Sequence, residues 1–177
     1  MSELVQHADD LWSVAADHRF FGLWLGTRMT VIRLPGGALW LHSVVAIDDI
    51  LADEIQDLGP VRHIVLPNLY HHVYASDAIR RWPAARVHAP AAMRRKRPEL
   101  RIDSELSETP DTEWCGQIVP VHIDGSILDE TVFVHGPTRS LVCADLVENF
   151  ASSPHLATRL YLKLAGLEDR VAFGATV

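Results

Sequence analysis

Two kinds of hydrophobic spacing alternate along the chain. Residues 30–34 and 38–42 are rich in β-branched and aromatic side chains and are separated by Pro35-Gly36-Gly37. This arrangement is typical of a β-hairpin, because glycine accepts the positive φ that tight turns require. Residues 47–58 instead place apolar side chains at helical intervals, with acidic residues in the first turn and a Gly-Pro stop after the last. The pattern predicts a hairpin followed by a surface helix.

The middle of the chain continues this alternation of strand and helix. Residues 61–66 and 86–88 are short, β-rich runs, whereas residues 69–82 and 91–96 have helical spacing and each is closed by a proline. Strands that alternate with helices in this way form sheets covered by helices. We therefore expect a layered α/β fold.

The pattern changes in the last third of the chain, where strands follow one another directly. Residues 117–123, 131–135 and 140–144 are strand-like, and the last two are separated by the turn signal at residues 136–139. We expect an antiparallel pair there. Residues 154–165 again have helical spacing. The complete prediction is a mixed α/β (α+β) architecture.

The composition is that of an average globular protein with an acidic balance. The chain has 177 residues, 48% of them hydrophobic, so it suits one packed domain over residues 1–177. A formal net charge of -7 argues against a nucleic-acid partner, because phosphate backbones reward clustered lysine and arginine. The sequence shows neither a signal-peptide pattern nor an apolar run approaching about 20 residues. We expect a cytoplasmic protein with no membrane partner.

Polar side chains that bind metals or move protons lie where the predicted strands give way to loops. Rigid strands hold such side chains at a sheet edge with little positional freedom, which suits a functional site. These candidate site residues are His42, Asn68, His71, His72, Glu130 and Asp145. Each also has a structural interpretation, because Asp and Asn cap turns and a lone His on a strand is commonly a core residue.

The order of elements carries a resemblance to a known family. An apolar strand, a His-bearing loop, a helix and a later strand that ends in Asp follow one another, as in the metallo-β-lactamase-like superfamily. The segments that carry the likeness are Arg28-Met29-Thr30, Leu39-Trp40-Leu41-His42-Ser43, Leu58-Gly59-Pro60-Val61-Arg62-His63, Pro67-Asn68-Leu69-Tyr70-His71-His72, Lys96-Arg97-Pro98 and Ala144-Asp145-Leu146. They resemble an uncharacterised domain-of-unknown-function branch of that superfamily, which implies an αββα sandwich, here without its last strand and helix.

The resemblance also implies where a metal would bind. The superfamily's metal loop reads H-x-H-x-D-H; His72 matches its last His, His71 falls near its Asp, and Asn68 falls near its first His. Asn is a poor zinc ligand, so we do not expect an intact two-metal centre. Asp145 matches the Asp that bridges two metals in active relatives. The metal motif is therefore degenerate.

Two further residues are candidates to complete the metal site. His42 stands where the superfamily commonly has an Asp, and Glu130 is the best substitute for the superfamily's middle His. The superfamily's closing His has no convincing counterpart, as though the final strand and helix were missing. A homodimer is one way to cover the sheet edge that this would leave unpaired.

Two functions follow from the resemblance. In the first, one divalent ion, Zn²⁺ or alternatively Fe or Mn, is held by His72 and Asp145 with His71 or His42, and Asp145 and His71 act in the hydrolysis of an unknown ester, thioester or amide. In the second, the protein binds no metal and no other cofactor. A hydrogen-bonded pocket then makes it a non-catalytic domain that binds a small molecule or a protein.

Overall fold

The computed structural model describes residues 3–150 and 153–174, and these contain strands β1 to β14 and helices α1 to α4. The strands are β1 Leu4–Ala8, β2 Leu11–Ala16, β3 Arg19–Phe20, β4 Leu23–Trp24, β5 Thr27–Arg33, β6 Leu39–His42, β7 Val61–Val65, β8 Arg86–Ala89, β9 Ser104–Glu105, β10 Ile118–His122, β11 Thr131–His135, β12 Ser140–Val142, β13 Val147–Phe150 and β14 Arg170–Phe173. The helices are α1 Asp49–Leu58, α2 Ala75–Arg81, α3 Met93–Lys96 and α4 Leu156–Leu164.

The main sheet has seven strands in the order β1-β2-β5-β6-β7-β8-β9. Its first four strands are antiparallel neighbours, and β5 and β6 form the predicted hairpin, with Thr30 opposite His42. From β6 to β9 the strands are parallel. Parallel neighbours need a crossover connection, which α1 supplies between β6 and β7 and α2 between β7 and β8. The carboxyl ends of β6 and β7 therefore meet at one edge of the sheet.

Strand β6 shows how the layers pack. Leu39 and Leu41 belong to the core that also contains the buried residues of α1, α2 and α3. Trp40 points to the other face, where it packs with Phe133 of the three-stranded sheet β10-β11-β12 at a ring-centroid distance of 5.1 Å. Because successive side chains of a strand point to opposite faces, one strand serves both cores. The predicted layered α/β architecture is confirmed.

Helix α1 is confirmed close to its predicted bounds. Asp48 is its N-cap, and the Asp48 carboxylate accepts a 2.9 Å hydrogen bond from the backbone N–H of Leu51. The helix ends at Leu58, and its C-cap Gly59 has a φ of 149°. A Cβ at this position would lie 2.1 Å from the carbonyl oxygen of Gly37, so only glycine lets the helix end against the β5–β6 turn.

Other elements differ from the prediction. The helix expected over residues 69–82 is confined to α2, Ala75–Arg81, because the Asn68 side chain draws the preceding segment into a turn. Strands β1 to β4, β9, β13 and β14 were not predicted. β2 is buried on both faces at its start, which removes the alternation that marks a strand, and β3 and β4 have two residues each. The single-domain prediction and the expected loss of a last strand and helix both stay predictions.

In the part of the chain that the structure describes, helices are too short or too polar to cross a membrane.

Candidate functional site

The candidate site lies where the two sheets are joined at the ends of their strands. Ser43 follows β6 directly and Asn68 follows β7 after two residues, so both lie at the same edge of the parallel strands. Two backbone hydrogen bonds of 2.9 Å, from Leu69 to Leu128 and from Thr131 to Pro67, bind the loop after β7 to the start of β11. Asp145 follows β12 and completes the group.

Asn68 is the hub of this site. The residue is fully buried, and its Oδ1 accepts hydrogen bonds from the backbone N–H of Tyr70 at 2.8 Å and of His71 at 3.0 Å. Its Nδ2 donates to Asp145 Oδ2 at 2.7 Å and, more weakly, to Glu130 Oε2 at 3.4 Å. Both lone pairs of Oδ1 are used, so none is left for a metal ion. The predicted ligand role of Asn68 does not fit this geometry.

Glu130 is buried and belongs to the same hydrogen-bond network. The residue is 1% exposed, and its Oε1 accepts from the backbone N–H groups of Ala144 at 2.9 Å and Asp145 at 3.1 Å. Its Oε2 also accepts from the Asp145 N–H at 3.1 Å. A buried carboxylate is stabilised by such donors. Glu130 therefore fixes the loop after β12, and the predicted ligand role does not fit it either.

His71 links the two loops through both of its ring nitrogens. Nδ1 is hydrogen-bonded to Ser43 Oγ, and Nε2 lies 3.3 Å from Asp145 Oδ1. An ionised carboxylate can only accept, so Nε2 carries the proton that is donated to Asp145, and Ser43 donates its hydroxyl proton to Nδ1. The side chains of His71 and Asp145 are 18% and 27% exposed, which places them at the mouth of the site.

Asp145 is held in its charged form. Burial alone would raise the pKa of this carboxyl group, but the hydrogen bonds from His71 and Asn68 and the nearby imidazole outweigh burial and lower the pKa below its ordinary value. The site therefore presents one partly exposed carboxylate beside an imidazole N–H group.

His42 has a buried ring nitrogen that no group of the described residues satisfies. It is 1% exposed, stacks on Trp40 at 5.6 Å and meets the ring of Phe133 edge-on at 5.6 Å. Burial, followed by the nearby His71, lowers the pKa of His42 to about 3, so the ring is neutral. In the part of the chain that the structure describes, Nε2 has no hydrogen-bond partner, whereas the ring is hydrogen-bonded to the residue's own backbone. A buried polar atom without a partner is costly unless a ligand satisfies it.

His72 is bonded to Arg97, and no bond between His72 and Asp145 is present among the described residues, contrary to the prediction. Its Nδ1 accepts a hydrogen bond from the guanidinium group of Arg97, at the end of α3. Burial first, and then the positive charges of Arg97 and Lys96, lower the pKa of His72. An imidazole that faces a guanidinium group is poorly placed to bind a cation. The two adjacent histidines therefore point to different partners, and the one bonded to Asp145 is His71.

The residues present do not fit a two-metal centre. Among the residues that the structure describes, no three His, Cys, Asp or Glu side chains are grouped so that they could hold a metal ion. Asn68 and Glu130 are committed to hydrogen bonds within the protein, and His72 is committed to Arg97. Of the six predicted site residues, His42 and Asp145 keep lone pairs that no donor of the described residues uses, whereas both ring nitrogens of His71 are bonded to Ser43 and Asp145.

Ser43 is the site residue that the sequence did not reveal. It follows β6 with a φ of 58°, a left-handed conformation that is uncommon for serine, and it is 1% exposed. A serine at the end of a strand carries no distinctive signal in a single sequence. Only the position of its hydroxyl beside His71 shows that it belongs to the site.

Comparison with known proteins agrees with the architecture. Residues 8–93 match the family described as Domain of unknown function (DUF4336), and no curated protein matches the chain. A metallo-beta-lactamase from Pontibacter korlensis is 14% identical with a TM-score of 0.69, covering 85% of this chain and 74% of that one. A metallo-beta-lactamase from Hirschia baltica is 16% identical with a TM-score of 0.61, covering 79% and 69%. The metallo-beta-lactamase FIM-1 from Pseudomonas aeruginosa, in its mono-zinc form, is 15% identical with a TM-score of 0.56, covering 75% and 63%.

The predicted resemblance is thereby confirmed at the level of the fold. At such low identity the similarity shows that the fold is shared, and it does not show that this chain has the lactamase activity named for those proteins. The chain has the metallo-β-lactamase-like fold, with a match to a domain of unknown function over residues 8–93.

Proposed function

We propose that this protein binds a small molecule directly through His42 and Asp145, with His71 holding Asp145 in place, and without a two-metal centre. The observation that carries the proposal is the amide of Asn68, which occupies the middle of the site and bonds to both Asp145 and the His71 backbone. A hydrogen-bonded network that satisfies itself in this way is stable without an ion.

The chemistry of the site indicates the class of ligand. Asp145 presents a partly exposed carboxylate, and the unpartnered Nε2 of His42 accepts a hydrogen bond. Both groups favour a ligand with N–H or O–H donors, or one that carries a positive charge. A small amine, amidine or polyol meets this requirement, and a polyanion such as nucleic acid does not.

The experiment compares metals with organic ligands on the same protein. Untagged protein is analysed for metal content and titrated with Zn²⁺, Mn²⁺ and Fe²⁺, and then with fragments bearing ammonium, amidinium or hydroxyl groups. We expect no stoichiometric metal, and fragments whose affinity falls at least about tenfold in Asp145→Asn because a charge-assisted hydrogen bond is lost. Asp124→Asn, a change at a fully exposed side chain, is the matched control. One equivalent of tightly bound metal that disappears in Asp145→Ala would contradict the proposal.

The second candidate function is hydrolysis of an ester, thioester or amide at a single divalent ion. The unpartnered Nε2 of His42 favours it, because a bare imidazole nitrogen is a suitable ligand for Zn²⁺, or for Fe or Mn, and such an ion would have to draw Asp145 or His71 away from its present partners. Such an ion would supply a bound water of lowered pKa. The metal titration described above separates the two functions.

Cellular location and assembly are proposals as well. We propose that the protein is located in the cytoplasm, and only the sequence pattern described above supports this location. A homodimer is supported by exposed leucines at Leu156, Leu160 and Leu164 of α4, which are 71%, 56% and 81% exposed and four residues apart. Light scattering at micromolar concentration tests the dimer, and a monomer there would contradict it.

A further inference from the structure

We infer that Ser43, His71 and Asp145 form a relay of nucleophile, base and carboxylate that transfers an acyl group without metal. The inference rests on the proposed function, because it uses the same site in its metal-free form. The inference is based on two hydrogen bonds that share His71: Ser43 Oγ is bonded to His71 Nδ1, and His71 Nε2 lies 3.3 Å from Asp145 Oδ1. A nucleophile within reach of a base that a third group orients is the common signature of such sites.

Ser43 occupies a position suited to a nucleophile. It is the first residue beyond β6, its φ is 58°, and its backbone N–H donates to the carbonyl oxygen of Val65 at 2.9 Å. Strained backbone conformations of this kind gather at functional sites, where the surrounding structure holds them in place. Here the strain turns the hydroxyl from the end of a rigid strand toward His71.

His71 has the tautomer that a general base requires. Because Asp145 can only accept, the ring proton resides on Nε2, which leaves Nδ1 free to take the hydroxyl proton of Ser43. Asn68 positions both partners, through the His71 backbone N–H and Asp145 Oδ2. Asp145 thus acts through His71 and is a positioning residue, whereas Ser43 and His71 touch the reacting atoms.

The reaction balances with water as the only co-reactant. Ser43 Oγ bonds to the carbonyl carbon of an ester or thioester while its proton passes to His71 Nδ1. The tetrahedral intermediate then collapses, the bond from carbon to the leaving oxygen or sulfur breaks, and His71 returns the proton to that leaving group. In the second half a water molecule attacks the acyl-Ser43 ester with His71 again as base, which releases the acid and restores the Ser43 hydroxyl.

The depth of the site limits the substrate. Ser43 is 1% exposed, whereas the side chains of His71 and Asp145 are 18% and 27% exposed, so a substrate approaches past them to a recessed hydroxyl. A slender acyl group attached to a larger leaving group fits this approach. Small acyl esters and thioesters are therefore the substrate class that we expect.

The chain contains a matched control. Ser13 on β2 is also buried, and its Oγ lies 2.8 Å from Nε2 of His7, but in the described part of the chain no carboxylate is bonded to that imidazole. Arg28 instead donates to Ser13 Oγ at 3.3 Å. Among the described residues, Ser13 therefore has a histidine partner without a carboxylate behind it, whereas Ser43 has both the histidine and the carboxylate.

A fluorophosphonate probe tests the relay. The wild type, treated with a chelator, is incubated with the probe and its adduct is located by mass spectrometry of peptides. We expect one adduct, on Ser43, absent in Ser43→Ala and unchanged in Ser13→Ala. The labelling rate should fall on the order of 10²-fold or more in His71→Gln and in Asp145→Asn, and the pH profile of labelling should shift in Asp145→Asn. Ser43→Gly, which suits a φ of 58°, serves if the alanine variant does not fold.

The outcomes separate this inference from the proposed function. The relay is overturned if the wild-type protein forms no adduct on Ser43. It is also overturned if the labelling rate is unchanged in His71→Gln. If such a protein also binds no stoichiometric metal and binds fragments through Asp145, the proposed function stands without the relay. If it binds one equivalent of Zn²⁺ instead, both fail.

Discussion

Asn68 donates a 2.7 Å hydrogen bond from Nδ2 to Oδ2 of Asp145, although the two residues are 77 positions apart in the chain. The bond joins the loop after β7 in the main sheet to the loop after β12 in the smaller one. Because its acceptor is a carboxylate, it is about twice as strong as a bond between neutral groups. Its position, at the point where the superfamily's metal loop would begin, makes it the structural centre of the site.

Removal of the Asn68 amide should destabilise the protein markedly. Asn68→Ala leaves Asp145 and Glu130 without an amide donor and two backbone N–H groups without an acceptor. We expect the free energy of unfolding to fall by about 3 kcal/mol, measured by urea denaturation. Asn149→Ala, at an exposed position on β13, should change it by less than about 0.5 kcal/mol. Equal effects of the two changes would show that the network has no structural role.

The free energy of unfolding should fall in acid because the neighbouring histidines His63 and His88 are buried. His63 Nδ1 and His88 Nε2 are 3.1 Å apart, and burial, followed by His63, lowers the pKa of His88 from 6.5 to about 3. The unfolded chain takes up this proton near pH 6.5 and the folded protein does so only near pH 3. The contribution of His88 is therefore complete above pH 6.5 and is lost as the pH falls toward 3, by about 1.4 kcal/mol per pH unit.

The test of this pH dependence is a series of denaturation curves across that range. The free energy of unfolding of His88→Gln should fall less steeply with decreasing pH than that of the wild type, because one buried ring no longer takes up a proton on unfolding. His122→Gln, at an exposed position, should keep the wild-type slope. A slope that is the same in all three proteins would contradict the assignment.

The aromatic contact between the sheets should be essential to the fold. Phe133 is fully buried and packs against the rings of Trp40 and His42. We expect Phe133→Ala to cost about 3 to 5 kcal/mol in the free energy of unfolding, because it leaves a cavity between the two sheets. Phe173→Ala removes a side chain that is 78% exposed and should cost less than about 0.5 kcal/mol. Calorimetric or urea unfolding of both variants measures the difference.

The end of α1 should tolerate only glycine. Gly59→Ala places a Cβ 2.1 Å from the carbonyl oxygen of Gly37, at a φ of 149° that alanine avoids. The backbone must shift, and we expect a loss of about 2 kcal/mol or more in the free energy of unfolding. Gly136→Ala, where the nearest atom to the new Cβ is 3.6 Å away, is the control and should change stability by less than about 1 kcal/mol. A Gly59 variant as stable as its control would contradict this description of the α1 end.

The fold was predictable wherever local chemistry decided it. The β5–β6 hairpin and helix α1 were predicted because their turn and capping residues act on neighbouring positions. Strand β2 was not predicted, because burial on both faces erases the alternation of apolar and polar residues. The start of α2 was placed too early, since the turn before it depends on one side chain, Asn68.

The site was predictable as a region and less so as a set of contacts. The structure brings His71, Asn68, Glu130 and Asp145 into one network and places His42 beside it. Both His71 and His72 were predicted to lie near Asp145, and the structure bonds His71 to it, whereas His72 contacts Arg97, a residue 25 positions further along the chain. Ser43 was missed because its role is defined by a partner that is distant in sequence.

The tautomer of His71 tests the central claim most directly. Long-range ¹H–¹⁵N NMR spectra of the imidazole rings, with His71→Gln for assignment, distinguish a protonated Nε2 from a protonated Nδ1. The structure predicts a proton on Nε2, a bare Nδ1 bonded to Ser43, and no change when one equivalent of Zn²⁺ is added. A proton on Nδ1, or a shift of the His71 nitrogens on addition of Zn²⁺, would contradict the metal-free network.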